Sequence, residues 1–285
     1  MPPPTTTNSW SGAGTVGVGR DHRCATVPPA MAAPLDGTTV LLTGASKGIG
    51  AAIARRLGAD GATLVAHYGA DEEGAREATA AIPGDRCRLL AADLSVPGSG
   101  RRLFGEAVAA AGRIDVVVLN AAVMPDSPID GEDDAWDEAW ERSLRVNVVE
   151  PASLMREAVP HFLEHGGGIV IAMSSWNAHR AAGNPKLIAY SASKAAIRNA
   201  TQSIARAHAK DGVLAYVVAP GIVRTRLSET SAASLGGEAA VTATLAMGEW
   251  VPPEEVAELV AFLATGRCRH LTGATLDVNG ASYIR

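Results

Sequence analysis

Aromatic side chains are scarce. Phe, Trp and Tyr together make up 4% of the 285 residues, so any core must be built from Ala, Val, Leu and Ile rather than from rings. The three cysteines, Cys24, Cys87 and Cys268, stand far apart with no C-x-x-C spacing. That excludes a disulfide framework and a thiolate zinc site, predicts no metal, and makes the reducing cytoplasm the default compartment. No apolar run approaches the roughly 18 to 20 residues of a membrane span. Cationic excess is also missing: 25 Lys and Arg face 30 Asp and Glu, a formal net charge of -5. A protein that grips phosphate backbones needs a concentrated basic face, so neither nucleic acid nor a membrane is an expected partner.

Hydrophobic residues reach 47%, and 30 glycines occur without a collagen-like period. This is the balance of a globular chain with many tight turns. The first 34 residues differ from the rest. They carry Pro2 to Pro4, three consecutive Thr and the pair Pro28 and Pro29, with no apolar segment behind a basic start; residues 1–34 are expected to be a disordered extension and not a secretory signal. From Thr38 onward short apolar runs alternate with helical stretches. The runs fall at 38–43, 62–68, 87–92, 115–119, 168–173, 213–219 and 274–278, and helix-like segments at 48–58, 97–112, 134–164, 188–211 and 253–264. Strand, helix, strand in steady alternation predicts right-handed crossovers, hence a single doubly wound α/β domain of the Rossmann type over residues 35–285. Its seven-stranded parallel sheet would carry helices on both faces. Segment 224–252, rich in Ser, Thr, Ala and Gly, breaks the rhythm and predicts a mobile loop or a small helical flap.

The first strand runs into Thr43, Gly44, Ala45, Ser46, Lys47, Gly48, Ile49 and Gly50, and then directly into a helix. Such a turn presents free backbone N–H groups and the positive end of a helix dipole to an anion. In this position it predicts a dinucleotide site. The second strand ends at His67 and Tyr68 without a carboxylate for the adenosine ribose, while Lys47 in the turn offers an ammonium to a 2′-phosphate; NADP(H) is favoured. Asp71 keeps NAD(H) open, and Lys47 has the plainer reading of a solvated turn residue. Asp93, followed by Leu94 at the end of the third strand, suits either the adenine amino group or a local cap.

Tyr190 and Lys194 are four residues apart in a helix-forming stretch, so both project from one face. A phenol beside a fixed ammonium ionises below its usual value of about 10, which would make Tyr190 a general acid/base. Ser174 and Ser175 end the fifth strand, at the sheet edge where ligands of such folds bind; Ser175 is preferred for holding a substrate oxygen, with Ser174 open.

Taken together these segments resemble the short-chain dehydrogenase/reductase family, and in particular its 3-oxoacyl-carrier-protein-reductase-like members. The resemblance rests on Thr43 to Gly50, on Asn120, Ala121 and Ala122 after the fourth strand, on Asn147, on Ser175, on Tyr190 with Lys194, and on Pro220 and Gly221 with Thr225. It implies strand order 3-2-1-4-5-6-7 and hydride transfer between a nicotinamide and a carbonyl or secondary alcohol. Tyr190 would exchange the proton, Ser175 hold the oxygen, Lys194 lower the Tyr190 pKa and hold the nicotinamide ribose, and Asn147 support a water leading to Lys194. Tyr68 and Leu94 would lie by the adenosine, and Pro220, Gly221, Val223 and Thr225 by the nicotinamide. A homodimer or homotetramer built on helices 134–164 and 188–211 is also implied.

The chain departs from the family pattern in four places. Leu119, Asn120, Ala121 and Ala122 stand where Asn-Asn-Ala-Gly is usual, Tyr216 replaces an Asn, and Ala281 follows Gly280 in place of a second Gly. The 14 residues between Ser175 and Tyr190 make a longer loop than usual. That loop and segment 224–252 would wall the substrate pocket, with Met124, Trp176, Met247 and Trp250 as apolar lining and Arg180, Lys186, Arg224 and Arg226 as charges that either meet an anionic substrate or are simply solvated. The rival reading, a catalytically silent NAD(P)-binding sensor of the same fold, predicts loss of the Tyr or the Lys, and both are present.

Overall fold

Seven short apolar runs form strands, the five central ones buried on both faces, as a parallel sheet covered by helices requires, and the two at the edges only partly covered. They are β1 (Thr39–Thr43), β2 (Thr63–Tyr68), β3 (Cys87–Ala91), β4 (Val116–Leu119), β5 (Gly168–Met173), β6 (Val213–Pro220) and β7 (Thr275–Val278). All neighbours pair in parallel, in the order β3-β2-β1-β4-β5-β6-β7. The structure is a computed structural model and describes residues 33–285; the expected extension lies outside the described residues except for its last two positions. Ala33–Arg285 form one compact unit.

Alternation along the strands divides the core. Val40, Leu42, Leu64, Val116 and Ile171 point to one face, where they meet α1 (Gly48–Ala59), α2 (Glu72–Thr79) and α10 (Pro253–Ala264). Leu41, Val65, Val117 and Val170 point to the other, against α3 (Ser99–Ala111), α5 (Glu150–Glu164) and α7 (Ile188–His208). Ile53 and Leu57 of α1 are fully buried, each contributing about 1.5–3 kcal/mol relative to exposure.

The stretch read as one long helix, 134–164, is broken. It comprises α4 (Asp133–Leu144), a π turn over Arg145–Val149, and α5. Helix α2 was not expected, because its eight residues carry only a short apolar stripe; Asp71 starts it by accepting from the Gly74 N–H. Segment 224–252 takes the helical alternative, with α8 (Arg226–Ala233) and α9 (Glu238–Thr242). These pack on a third, small apolar cluster of Trp176, Ala232, Val241, Leu245 and Trp250. Among the described residues no helix is long and apolar enough to cross a membrane, and no group of His, Cys, Asp and Glu is placed to hold a metal ion.

Candidate active site

The carboxyl ends of the strands open into a cavity of about 1260 Å³. At one end lies the turn between β1 and α1. Gly44 and Gly48 have φ of +72° and +56°, conformations that favour glycine. A Cβ on Gly50 would stand 1.9 Å from the Gly44 carbonyl oxygen, and one on Gly44 would stand 2.9 Å from the Ala121 Cα. Two of the three glycines are therefore demanded by the protein's own backbone, which closes helix onto strand. The α1 N-terminus has no capping side chain and no acidic residue in its first turn, so its N–H donors and dipole face the cavity. Such an end, walled by glycine, fits a pyrophosphate.

A hydrogen-bond lattice braces the turn. The Thr43 hydroxyl accepts from the Asn120 and Ala121 N–H groups at 2.9 and 3.1 Å, and the Asn120 side chain donates to the Thr43 and Gly44 carbonyls, both at 3.0 Å. His67 was missed by sequence reasoning. Its Nδ1 accepts from the Gly44 N–H at 3.1 Å while Nε2 meets the Ala92 carbonyl at 2.9 Å. Burial pushes its pKa below the ordinary value, which suits a neutral ring that accepts on one side and donates on the other. The only advance signal was its place in β2 opposite Thr43.

At the cavity's other end, α7 carries Tyr190 and Lys194. The phenol lies beside the Ser175 side chain. The Lys194 Nζ lies 5.7 Å from the Tyr190 ring centroid and donates to the Met173 carbonyl at 2.8 Å. The two serines separate cleanly. Ser174 donates to the Lys194 carbonyl at 2.8 Å and ties β5 to α7, whereas Ser175 faces the phenol. The expected lowering of the Tyr190 pKa is not found: burial drives it up to about 12, offset only in part by Ser175. Burial also brings Lys194 down to about 8. The ammonium is committed to the Met173 carbonyl beside the ring, and desolvation outweighs its effect on the phenol.

Asn147 sits in the π turn, and its side chain is fully used. It accepts from the Val123 N–H at 2.8 Å and donates to the Val123 carbonyl and the Ser193 hydroxyl at 2.9 and 3.0 Å. Ser193 in turn donates to the Tyr190 carbonyl. Through Ser193, Asn147 thus ties the π turn to the helix that bears Tyr190. Every other expected catalytic or cofactor residue lines the cavity except Thr43, which lies beneath the turn, and Tyr68; of the expected pocket walls Met124, Trp176, Arg180 and Arg226 line it, whereas Met247 is exposed, Trp250 is buried in the small apolar cluster, and Lys186 and Arg224 stand outside. Tyr68 is a correction: its hydroxyl turns to Glu72, and Gly69 to Asp71, together with His67, border the cavity in its place. One oxygen of Asp93 accepts from the Ser95 N–H and hydroxyl, which is the local role.

Comparison with known proteins places this geometry. A family model described as enoyl-(acyl carrier protein) reductase matches residues 44–281. The 3beta-hydroxysteroid dehydrogenase 1 of Eggerthella lenta is 37% identical over 253 residues, covering 88% of this chain and 95% of the relative. Dehydrogenase/reductase SDR family member 4 of Bos taurus is 33% identical, covering 87% and 88%.

The chain belongs to the short-chain dehydrogenase/reductase family.

Solved members share its fold at full length. The 3-ketoacyl-(acyl-carrier-protein) reductase of Brucella melitensis complexed with NADH superposes with a TM-score of 0.77 at 27% identity, over 88% of this chain and 100% of that one. The 3-oxoacyl (acyl-carrier-protein) reductase of Agrobacterium tumefaciens with NADP bound gives 0.76 at 33% identity, over 86% and 94%. As a short-chain dehydrogenase/reductase the protein is an oxidoreductase of the NAD(P)-dependent dehydrogenase class, acting on CH–OH groups.

Proposed function

We propose that this protein reduces a ketone or oxidises a secondary alcohol with NADP(H) in preference to NAD(H), and that Tyr190 exchanges the proton. The observation that carries the reading is the contact of the Tyr190 phenol with Ser175 inside the cavity whose other end is the uncapped α1 terminus. The similar structures that hold NADH and NADP support a nicotinamide dinucleotide lying between these ends. When bound, it supplies the hydride. Ser175 and Tyr190 would hold the substrate oxygen, and with a pKa of about 12 Tyr190 keeps its proton at neutral pH, ready to donate in the direction of reduction. Lys194 would hold the nicotinamide ribose and supply positive charge beneath the phenol. Asn147 and Ser193 position Tyr190 through the backbone of α7. Gly221, where a Cβ would meet Asn279 at 2.8 Å and the Trp176 ring at 3.3 Å, keeps the end of β6 flat enough for a ring to lie against it.

Lys47 supports the NADP(H) preference. It stands at the rim of the cavity, 70% exposed and 3.0 Å from Asp71, where a second anion can reach it. We further propose that residues 35–285 form the catalytic domain and that it works in the cytoplasm. Homo-oligomer contacts would fall on α4, α5 and α7, where Leu144, Val149 and Leu163 are exposed. Replacing Tyr190 by Phe tests the core of the reading. NADPH-dependent reduction of a ketone panel should fall by about 10²- to 10⁴-fold with NADPH affinity retained. Unchanged turnover in Y190F removes the mechanism, and binding without turnover in the wild-type protein favours the silent sensor.

A further inference from the structure

We infer that Arg180 reads a carboxylate on the substrate, so that the preferred ketone or alcohol is a small acid. The inference rests on the hydride-transfer reading above. Four cations were candidates for meeting an anion, and their surroundings now differ. Lys186 pairs with Asp126 at 3.8 Å and Arg224 with Glu238 at 2.8 Å. Arg226 begins α8 directly after Thr225, whose methyl would lie 3.0 Å from a Cβ on Gly48, which places it toward the phosphate cradle. Arg180 remains. It lines the cavity beside Trp176 and takes part in none of the ion pairs among the described residues; Arg142 and Arg226 line the cavity unpaired as well, but Arg142 acts on Asp93 at the β3 edge and Arg226 lies at the cradle.

Its guanidinium is held in place by stacking. The Arg180 Cζ lies 4.6 Å from the Trp176 ring centroid, a face-on contact that orients the planar fork while leaving its N–H groups free. Trp176 is itself only 8% exposed. It is fixed from below by its N–H bond to the Pro220 carbonyl at 3.0 Å and by contact with Gly221. The helix that carries Arg180, α6 (Asn177–Arg180), ends at Ala181 with φ +63° and ψ 167°, a conformation otherwise left to glycine. The acidic groups on the cavity wall, Asp71, Asp93 and Glu138, belong to the β2 and β3 edge and to α4, so none sits on the element that carries the arginine.

Ser175, Trp176, Arg180 and Tyr190 line one cavity, and stacking on Trp176, the residue next to Ser175, brings the guanidinium back toward the proton-transfer pair.

The test compares 4-oxocyclohexanecarboxylate with its methyl ester in NADPH-dependent reduction, and measures binding of cyclohexanecarboxylate to the enzyme with NADP⁺ by calorimetry. The wild-type protein should favour the acid over the ester by about tenfold in kcat/KM, as one charge-assisted hydrogen bond supplies. Arg180→Gln should erase that preference by raising KM for the acid with little change in kcat, and should weaken cyclohexanecarboxylate binding to match; Arg180→Lys should restore part of it. Equal use of acid and ester by the wild-type protein overturns the proposal. So does an equal loss on both substrates in R180Q, absent binding of cyclohexanecarboxylate, or a stronger preference for acetoacetyl-coenzyme A than for either probe. Y190F separates the two levels: an active Y190F removes the hydride-transfer reading, whereas a dead Y190F with an indiscriminate wild type removes only the carboxylate.

Discussion

The two ends of the cavity are built by different means. The surface of the phosphate end is made of backbone, with glycines that exclude a Cβ and an uncapped helix terminus, and the side chains of Thr43, Asn120 and His67 brace that backbone from behind. The substrate end is made of side chains from separate segments. Its flap stands on the small Trp176, Trp250 and Val241 cluster and is tied down by Arg224 to Glu238, Trp250 to Thr242 at 2.8 Å, and Asn184 to Ser231 and Ser234 at 3.3 Å each. A site that must accept one invariant pyrophosphate gains from a frame that side-chain variation cannot disturb. One that selects among substrates gains from a wall that can be rebuilt without touching the sheet.

If that contrast holds, the largest effect belongs to Gly50→Ala. The added methyl meets a carbonyl oxygen at 1.9 Å, and neither strand nor helix can give way without opening the cradle. Dinucleotide affinity should fall by more than 100-fold and stability by about 3 kcal/mol, the upper end of overpacking costs. Fluorescence titration with NADPH and thermal unfolding check both. Near-normal binding would mean the cradle is as plastic as the flap.

The strip where the two ends meet gives the next effect, through pH. Lys194 has a pKa of about 8, below the usual lysine value because burial penalises its charge, so the ammonium is present below pH 8 and lost above it. Tyr190, at about 12, holds its proton throughout. The rate of reduction should therefore be level up to about pH 8 and then decline, by about tenfold per unit at most, and a profile of kcat against pH from 6 to 10 reads it. A rise across that range would show that neither the Lys194 nor the Tyr190 proton is needed for reduction.

A smaller loss is expected on the substrate side. Thr242→Val leaves the Trp250 indole N–H without its partner, at a cost of about 1 kcal/mol. The flap should loosen, raising KM for the ketone by about fivefold while NADPH affinity stays within twofold. Equal weakening of both ligands would show that the flap and the cradle are one unit.

The contrast also explains what the sequence could disclose. The seven strands and the glycine turn were legible because unbroken apolar runs and glycine spacing are local, the sheet order came with the family resemblance, and a pair such as Tyr190 and Lys194 is fixed by helix geometry. His67, Ser193 and Ser127 were not. Ser127, wholly buried, accepts from the Ala189 N–H and so caps α7 from 62 positions away; a hydroxyl used this way has no signature in its neighbours. The π turn at Asn147 and the division of labour between Ser174 and Ser175 likewise depend on which tertiary partner is in reach. The direction of the Tyr190 shift was misjudged for a related reason: proximity of a cation can be read from spacing, but desolvation cannot.

The smallest effect lies at the outer edge of the backbone-built end, where side chains take over. Asp71 faces two ways, capping α2 through the Gly74 N–H and pairing with Lys47 at 3.0 Å, and both hold its carboxyl below the ordinary range. Asn caps as well as Asp does, so Asp71→Asn should keep the helix start while releasing Lys47 and removing a negative charge from the place a 2′-phosphate would occupy. The pair is exposed, which limits the gain to about two- to threefold tighter NADPH binding, with NADH unchanged and the difference fading at high salt. Titrating both dinucleotides at low and high ionic strength reads it. Weaker NADPH binding in the variant would reverse the role of Asp71, making it the residue that aims Lys47 at the phosphate rather than the anion that competes for it.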